Sequence, residues 1–434
     1  MQLTRRSLIA ATAALAATPA LARSPSRTFP RGFLWGAATA GHQVEGNNVN
    51  ADTWLLENLK PTLYMERSGD ALNSFELWPQ DLDLVKQIGL NAYRFSLEWS
   101  RIEPDQGQFS VAMLDHYKRM IDGCRTRDLT PVVTFNHFTT PAWFARAGGW
   151  TNPNAVDLFV RFCDRAARHL AADIGYATTL NEPNLLQVQL ATTSPQRAEQ
   201  KRKMLADAAK ATGVANYVAG NAANPEDFAV IMRNQIAAHK AARAAIKAVR
   251  PDLPVGVSLA IIDEQAAPGG ERLRDQARAD LYDGWLDAAR GDDFIGVQNY
   301  ERHVWGPQGK LPGPADAERN MFRGEVYPGS LAGAVRYAHQ RSGAPVMVTE
   351  HGVATDKDAI RARLIPTALT ELKKVMDDGV PVLGYIHWSL LDNFEWSIGY
   401  WPTFGLTSVD RKTFARTLKP SARVLGRIAR RNAV

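Results

Sequence analysis

The chain has 434 residues, 45% of them hydrophobic and 22% charged, with a formal charge of +6. That composition excludes a disordered or fibrous chain, and the length fits two or three small domains or one large α/β barrel. The weak basic balance says little about partners: the arginines of "RVLGRIARRNAV" fit a solvated terminal helix better than a nucleic-acid site.

In chain order, residues 1–22 come first. They hold a charged start, a short Ala/Leu-rich apolar run and a small-residue end, the pattern of an export signal. Arg5 and Arg6 before Ser7 and Leu8 resemble the twin-arginine type, which carries folded proteins, so the expected location is periplasmic or secreted. The run is short for a spanning helix, and no stable membrane insertion is expected once it is removed.

Residues 23–434 alternate short apolar runs with longer amphipathic ones. The expected strands are "FLWGAAT" (33–39), "AYRFSLEW" (92–99), "PVVTFNH" (131–137), "ATTLNE" (177–182), "VGVSLAI" (255–261), "FIGVQNY" (294–300), "VMVTEH" (346–351) and "LGYIHWSL" (383–390). Apolar residues at three- and four-residue spacing predict helices over 111–128, 153–172 and 228–249. Eight buried strands with helices between them predict a single-domain (β/α)8 barrel. The rival, an open doubly wound sheet, usually shows a Gly-rich phosphate turn after its first strand, and "FLWGAATAGHQ" has no GxGxxG. Residues 187–225, after the fourth strand, break the alternation with many charges and small residues. They are a candidate lid or cleft wall, or else a solvated excursion. The two cysteines, Cys124 and Cys163, fall in predicted helices and make no disulfide framework; they are expected to be reduced and buried. No Cys/His spacing suggests a metal site.

Active sites of such barrels sit at the C-terminal ends of the strands. Here strand four ends in "LNEPN" with Glu182 and strand seven in "TEHG" with Glu350, while Arg94, Asn136, His137, Asn299 and Tyr300 lie at other strand ends. Two glutamates on opposite strands, without metal ligands or a nucleotide loop, suggest glycoside hydrolysis, in which one carboxyl protonates the leaving oxygen and the other attacks or assists at the anomeric carbon.

The motifs "FPRGFLWGAATAGHQVEG" (29–46), "NAYRFSLEWSRIEP" (91–104), "TLNEPN" (179–184), "VTEHG" (348–352), "WSLLDNFEW" (388–396) and "RTLKPSA" (416–422) run in order along nearly the whole mature chain. Together they resemble glycoside hydrolase family 1, the β-glucosidase-like retaining enzymes. The resemblance implies the β/α barrel, a double displacement, no cofactor and no metal. It implies Glu182 as acid/base and Glu350 as nucleophile, with Arg94 and Tyr300 holding the nucleophile and Asn181 meeting the sugar 2-hydroxyl. Gln43, His137, Glu395 and Trp396 match the family's grip on the other hydroxyls, and Trp388 its stacking platform. Glu395–Trp396 favours an unphosphorylated sugar. The chain also departs from the family: His351 stands where Asn is usual, Gln298 and Asn299 replace the first two residues of Asn-Tyr-Tyr, and "YWPTFG" (400–405) lacks the usual basic residues. Gln298 remains a candidate substrate contact because it is still an amide. Gly352 is expected to let the chain turn away from a crowded site.

A retaining β-glycosidase, with a β-glucosyl preference, is thus the expected function, and a glycoside or oligosaccharide the expected partner. Transglycosylation on the same site and a catalytically silent sugar-binding protein are the alternatives.

Overall fold

The computed structural model describes residues 27–190 and 193–434; the expected export signal at 1–22 lies outside them. Eight strands form the centre: β1 (Leu34–Ala38), β2 (Ala92–Ser96), β3 (Thr130–Asn136), β4 (Tyr176–Asn181), β5 (Val255–Ala260), β6 (Phe294–Asn299), β7 (Val346–His351) and β8 (Val382–Trp388). Each falls on one of the stretches expected from sequence. All are parallel, each pairs with its chain neighbours, and β8 pairs with β1 to close the barrel.

Parallel strands need long crossovers, and helices supply them. The main ones are α1 (Ser74–Ile88), α2 (Val111–Arg125), α3 (Ala155–Leu170), α4 (Pro195–Thr212), α5 (Phe228–Val249), α6 (Ser330–Ser342), α7 (Asp358–Asp377) and α8 (Pro420–Arg431). In α3, Leu158, Phe159, Phe162, Cys163, Ala166 and Leu170 recur at helical spacing and are buried, giving the helix one apolar face for the sheet. Cys124 and Cys163 are both buried and unpaired.

Side chains alternate across each strand. The outward set, such as Tyr93, Phe95, Val346 and Val348, joins the helices in the large core. The inward set, including Leu34, Ala92, Val132, Phe294, Met347 and Ile386, meets inside the barrel and plugs its lower part. Strict alternation would turn Glu350 outward with Val346 and Val348. It does not hold, because β7 carries an extra residue there: Val348 faces Val297 and Glu350 faces Gln298. β4 has the same irregularity against β5, with Thr178 opposite Gly256 and Asn181 opposite Ser258. Such bulges bend a strand and re-aim its side chains. They fall where β4 and β7 approach their two glutamates.

The 187–225 segment contains all of α4. Ser194 caps that helix by accepting from the Arg197 N–H at 3.3 Å, Pro195 sits in its first turn, and Gly213 ends it in a left-handed conformation. Its inner face, with Met204, Leu205, Ala208 and Ala209, packs against Leu56, Tyr64 and Phe394. A short sheet of Asp263–Ala266, Arg302–Gly306 and Gly309–Leu311, absent from the sequence expectations, joins the loops after β5 and β6. Among the described residues no helix is long and apolar enough to cross a membrane.

Candidate active site

Glu350 is 4% exposed at the end of β7. Arg94, rising from β2 two residues above the plug residue Ala92, donates from Nη1 to Glu350 Oε1 at 2.6 Å. Tyr300, just past β6, donates its hydroxyl to Glu350 Oε2 at 2.7 Å. Each carboxylate oxygen therefore has its own donor. Arg94 also uses Nη2 to reach Asn181 Oδ1 at 2.5 Å, and Gln298 Nε2 donates to that same oxygen at 2.7 Å. With Oδ1 taken by two donors, the Asn181 amide has one sensible orientation, and its Nδ2 faces His137 Nε2 at 3.3 Å. His137 must then accept at Nε2 and carry its proton on Nδ1. That atom is buried and without a partner among the described residues, which leaves a donor for an incoming hydroxyl.

Glu182 follows β4 with φ +43°, the left-handed region that non-glycine residues seldom adopt. Its N–H donates to Ser258 O at 2.8 Å, tying the turn to β5. Its carboxyl makes no hydrogen bond or ion pair among the described residues. Burial pushes its pKa well up, and the charge of Glu350 pushes it further. Burial also raises Glu350, but Arg94 and the hydrogen bonds from Tyr300 and Gln298 oppose that rise. The two carboxyls are thus held apart in character: one is supplied with donors and a cation, the other is left to keep its proton.

A second cluster faces this pair. Gln43 Nε2 donates to Phe394 O at 2.7 Å and Asn393 Oδ1 at 2.9 Å, with Glu395 Oε2 at 3.5 Å. Its Oε1 is buried and unpartnered, an acceptor left for a ligand. Trp388 Nε1 donates to Glu395 Oε1 at 3.3 Å. His137 stacks near-parallel to Trp388, ring centres 5.8 Å apart, and to Trp396 at 6.1 Å. Burial first, and then nearby Glu350 and Asp392, push the Glu395 pKa well up. Every residue given a role at the site from sequence lies in one of these two adjoining clusters, whereas Asn136 and Asn299 turn their Nδ2 to backbone oxygens of Thr139 and Ile261.

Sequence reasoning left three points for the structure. His351 is buried and bonds Tyr385 Oη through Nδ1 at 2.9 Å, and Tyr385 Oη in turn meets His387 Nδ1 at 3.0 Å. It belongs to this chain of side chains rather than to the hydrogen bonds around Glu350, and burial lowers its pKa to about 3, so it is neutral. Gly352 is required by a close approach rather than by a turn, since a Cβ there would stand 2.1 Å from Trp388 O. The layer behind Trp396 was missed: His42 stacks on that ring at 5.8 Å, and Glu98 fastens the His42 N–H, Asn48 and Thr139. The signals were present as His42 beside Gln43 and Glu98 within "SLEWS", but no spacing rule links them.

This arrangement agrees with comparisons to known proteins. The family model of glycosyl hydrolase family 1 matches residues 25–288 and 314–434. The unmatched stretch between them carries β6 with Gln298 and Tyr300. A beta-glucosidase of Agrobacterium sp. is 29% identical, over 91% of this chain and 94% of that protein. The crystal structure of beta-glycosidase BGL167 is 48% identical with a TM-score of 0.87, covering 94% of this chain and 98% of that one. Beta-glucosidase 1317 in its apo form is 40% identical with a TM-score of 0.88, covering 93% and 99%. The chain belongs to glycosyl hydrolase family 1 and is an enzyme that hydrolyses O-glycosyl bonds.

Proposed function

We propose that the chain is a retaining β-glucosidase acting on unphosphorylated glycosides by double displacement. The supporting observation is the asymmetry of its two carboxyls: Glu350 held by Arg94 and Tyr300, Glu182 buried, unpartnered and pushed up in pKa. In the first step Glu350 attacks the anomeric carbon while Glu182 gives its proton to the leaving oxygen. The glycosyl ester of Glu350 carries no charge. Glu182, already deprotonated, loses the neighbour that raised its pKa, stays ionised and takes a proton from water. Water attacks the same carbon, the ester bond breaks, and two inversions give net retention.

The sugar grip supports an unphosphorylated ring. Glu395 receives hydrogen bonds from Trp388 and Gln43 and, among the described residues, no ion pair, so a phosphate at that end would meet an acid. Free Gln43 Oε1 and His137 Nδ1 supply one acceptor and one donor for hydroxyls. The glucosyl preference is supported by the beta-glucosidases among the relatives, although a "Beta-galactosidase" of Pyrococcus woesei, 26% identical, is also among them. We further propose that residues 1–22 direct export, which puts the enzyme in the periplasm or outside the cell.

The test uses Glu350→Ala with an activated aryl β-glucoside. Hydrolysis should fall by about 10⁴-fold or more, the scale seen when a nucleophile is removed, and azide should partly restore turnover with an α-glucosyl azide as product. A β-configured azide product would overturn the nucleophile assignment. A screen of aryl β-glycosides differing at C2, C4 and C6 measures the sugar preference.

A further inference from the structure

Outward from Trp396, the mouth opens into a cleft with about 250 Å³ of open space, ample for an aromatic ring. Phe138, Leu185 and Asn221 line both this cleft and the pocket at Asn181 and Glu182, so the two share a wall. Its remaining walls include Tyr64, Met204 and Trp396. Two charged residues line it, Arg197 and Lys201, and both are cations. They stand one turn apart on α4, on the same side of the helix.

Neither is in an ion pair among the described residues, and the stretches outside them contain no Asp or Glu. The Arg197 guanidinium donates from Nη2 to Ser397 Oγ at 3.3 Å. The next cations on the same helix behave differently: Arg202 pairs with Glu226, and Lys203 pairs with Asp207 at 2.9 Å. Acids are therefore available to the cations that face away from the cleft and lacking for those that face into it. Lys201 is half-buried, and that burial together with Arg197 lowers its pKa. A cation held this way gains most from an anion brought by a ligand.

We propose that this cleft receives the leaving group and that Arg197 and Lys201 select an aryl aglycone bearing a carboxylate. The aromatic walls take the ring and the two cations take the acid at its far end. This rests on the β-glucosidase reading for what occupies the inner pocket.

The experiment compares 4-carboxyphenyl β-D-glucoside with its neutral 4-carbamoylphenyl counterpart, in the wild type and in an Arg197→Gln/Lys201→Gln double variant. The ratio of kcat/KM values cancels the intrinsic difference between the two leaving groups once the proteins are compared. The ratio should fall about fivefold or more in the double variant, the scale for two partly exposed ion pairs, with the change in KM. In parallel, the slowly cleaved 1-thio analogues of both compounds are titrated calorimetrically. The wild type should prefer the carboxylate, and the double variant should lose that preference. An unchanged preference in the titration overturns the proposal. If neither glycoside is hydrolysed but the titration shows the preference and its loss, the hydrolytic reading fails while the assignment of the cleft stands.

Discussion

Asn181 Oδ1 accepts from Arg94 and Gln298 together, and this one oxygen joins the cation beside Glu350 to the residue preceding Glu182. The roles of the two glutamates separate cleanly in leaving-group dependence. Glu182→Ala should slow glycosides with poor leaving groups by about 10²–10⁴-fold, the usual contribution of a general acid, and activated aryl glycosides far less. Steady-state kinetics over a series of phenols reads this as a steeper dependence on leaving-group pKa; equal losses across the series would remove Glu182 from the acid role. At this scale the sequence was legible where a motif named the residue, as for Glu182, Glu350 and Arg94. It was not legible where the partner depends on another strand's register. Gln298 was expected to touch substrate; its Nε2 goes to Asn181, a partner the motif does not name, while its Oε1 is buried and unpartnered among the described residues. His351 sits beside Glu350 in sequence but finds Tyr385 on β8.

Individual elements are fastened at the barrel's mouth by a few buried groups. Glu98, just past β2, holds the loop after β1 through the His42 N–H and Asn48, and the loop after β3 through Thr139. Burial pushes its pKa up to about 7; Glu45 adds to this, while His42, Thr139 and Arg101 oppose it. A raised folded-state pKa gives stability that is complete below the unfolded value and lost as pH rises through the folded one. The wild type should therefore lose stability between about pH 4.5 and 7, and Glu98→Gln should flatten that fall. Denaturant melts at several pH values measure it; the same slope in both proteins would show that Glu98 is not the group responsible. The 187–225 segment is fastened differently. Gly220 N–H donates to Asp52 Oδ2 at 2.7 Å, and a Cβ on Gly220 would lie 1.7 Å from Phe138 O. Gly220→Ala should cost about 1–3 kcal/mol, as overpacking does, and move the cleft wall beside Phe138. Denaturant unfolding and KM for aryl glucosides should both change; an unchanged KM would mean the wall stays in place.

For the whole molecule, the eight-strand pattern was readable because parallel strands buried on both faces appear as short apolar runs between amphipathic helices. The small sheet of Asp263–Ala266, Arg302–Gly306 and Gly309–Leu311 was not, because its strands are short and mostly polar. Nor were the bulges in β4 and β7, which arise from pairing between strands far apart in sequence. The export proposal also belongs here. Replacing Arg5 and Arg6 by Lys should leave active enzyme in the cytoplasm, checked by assaying glucosidase activity in cell fractions; undiminished export would reject the twin-arginine assignment.

The placement of the carboxyls has a consequence for how the activity arises. Strands β1–β4 bring Glu182, Asn181 and Arg94; strands β5–β8 bring Glu350, Tyr300 and Gln298. The Arg94–Glu350 ion pair and the Gln298–Asn181 hydrogen bond both cross from one half of the chain to the other. Neither half holds a working pair alone. Turnover therefore reports closure of the ring rather than folding of any one part, and a chain cut between β4 and β5 would show activity only as its two pieces reassemble.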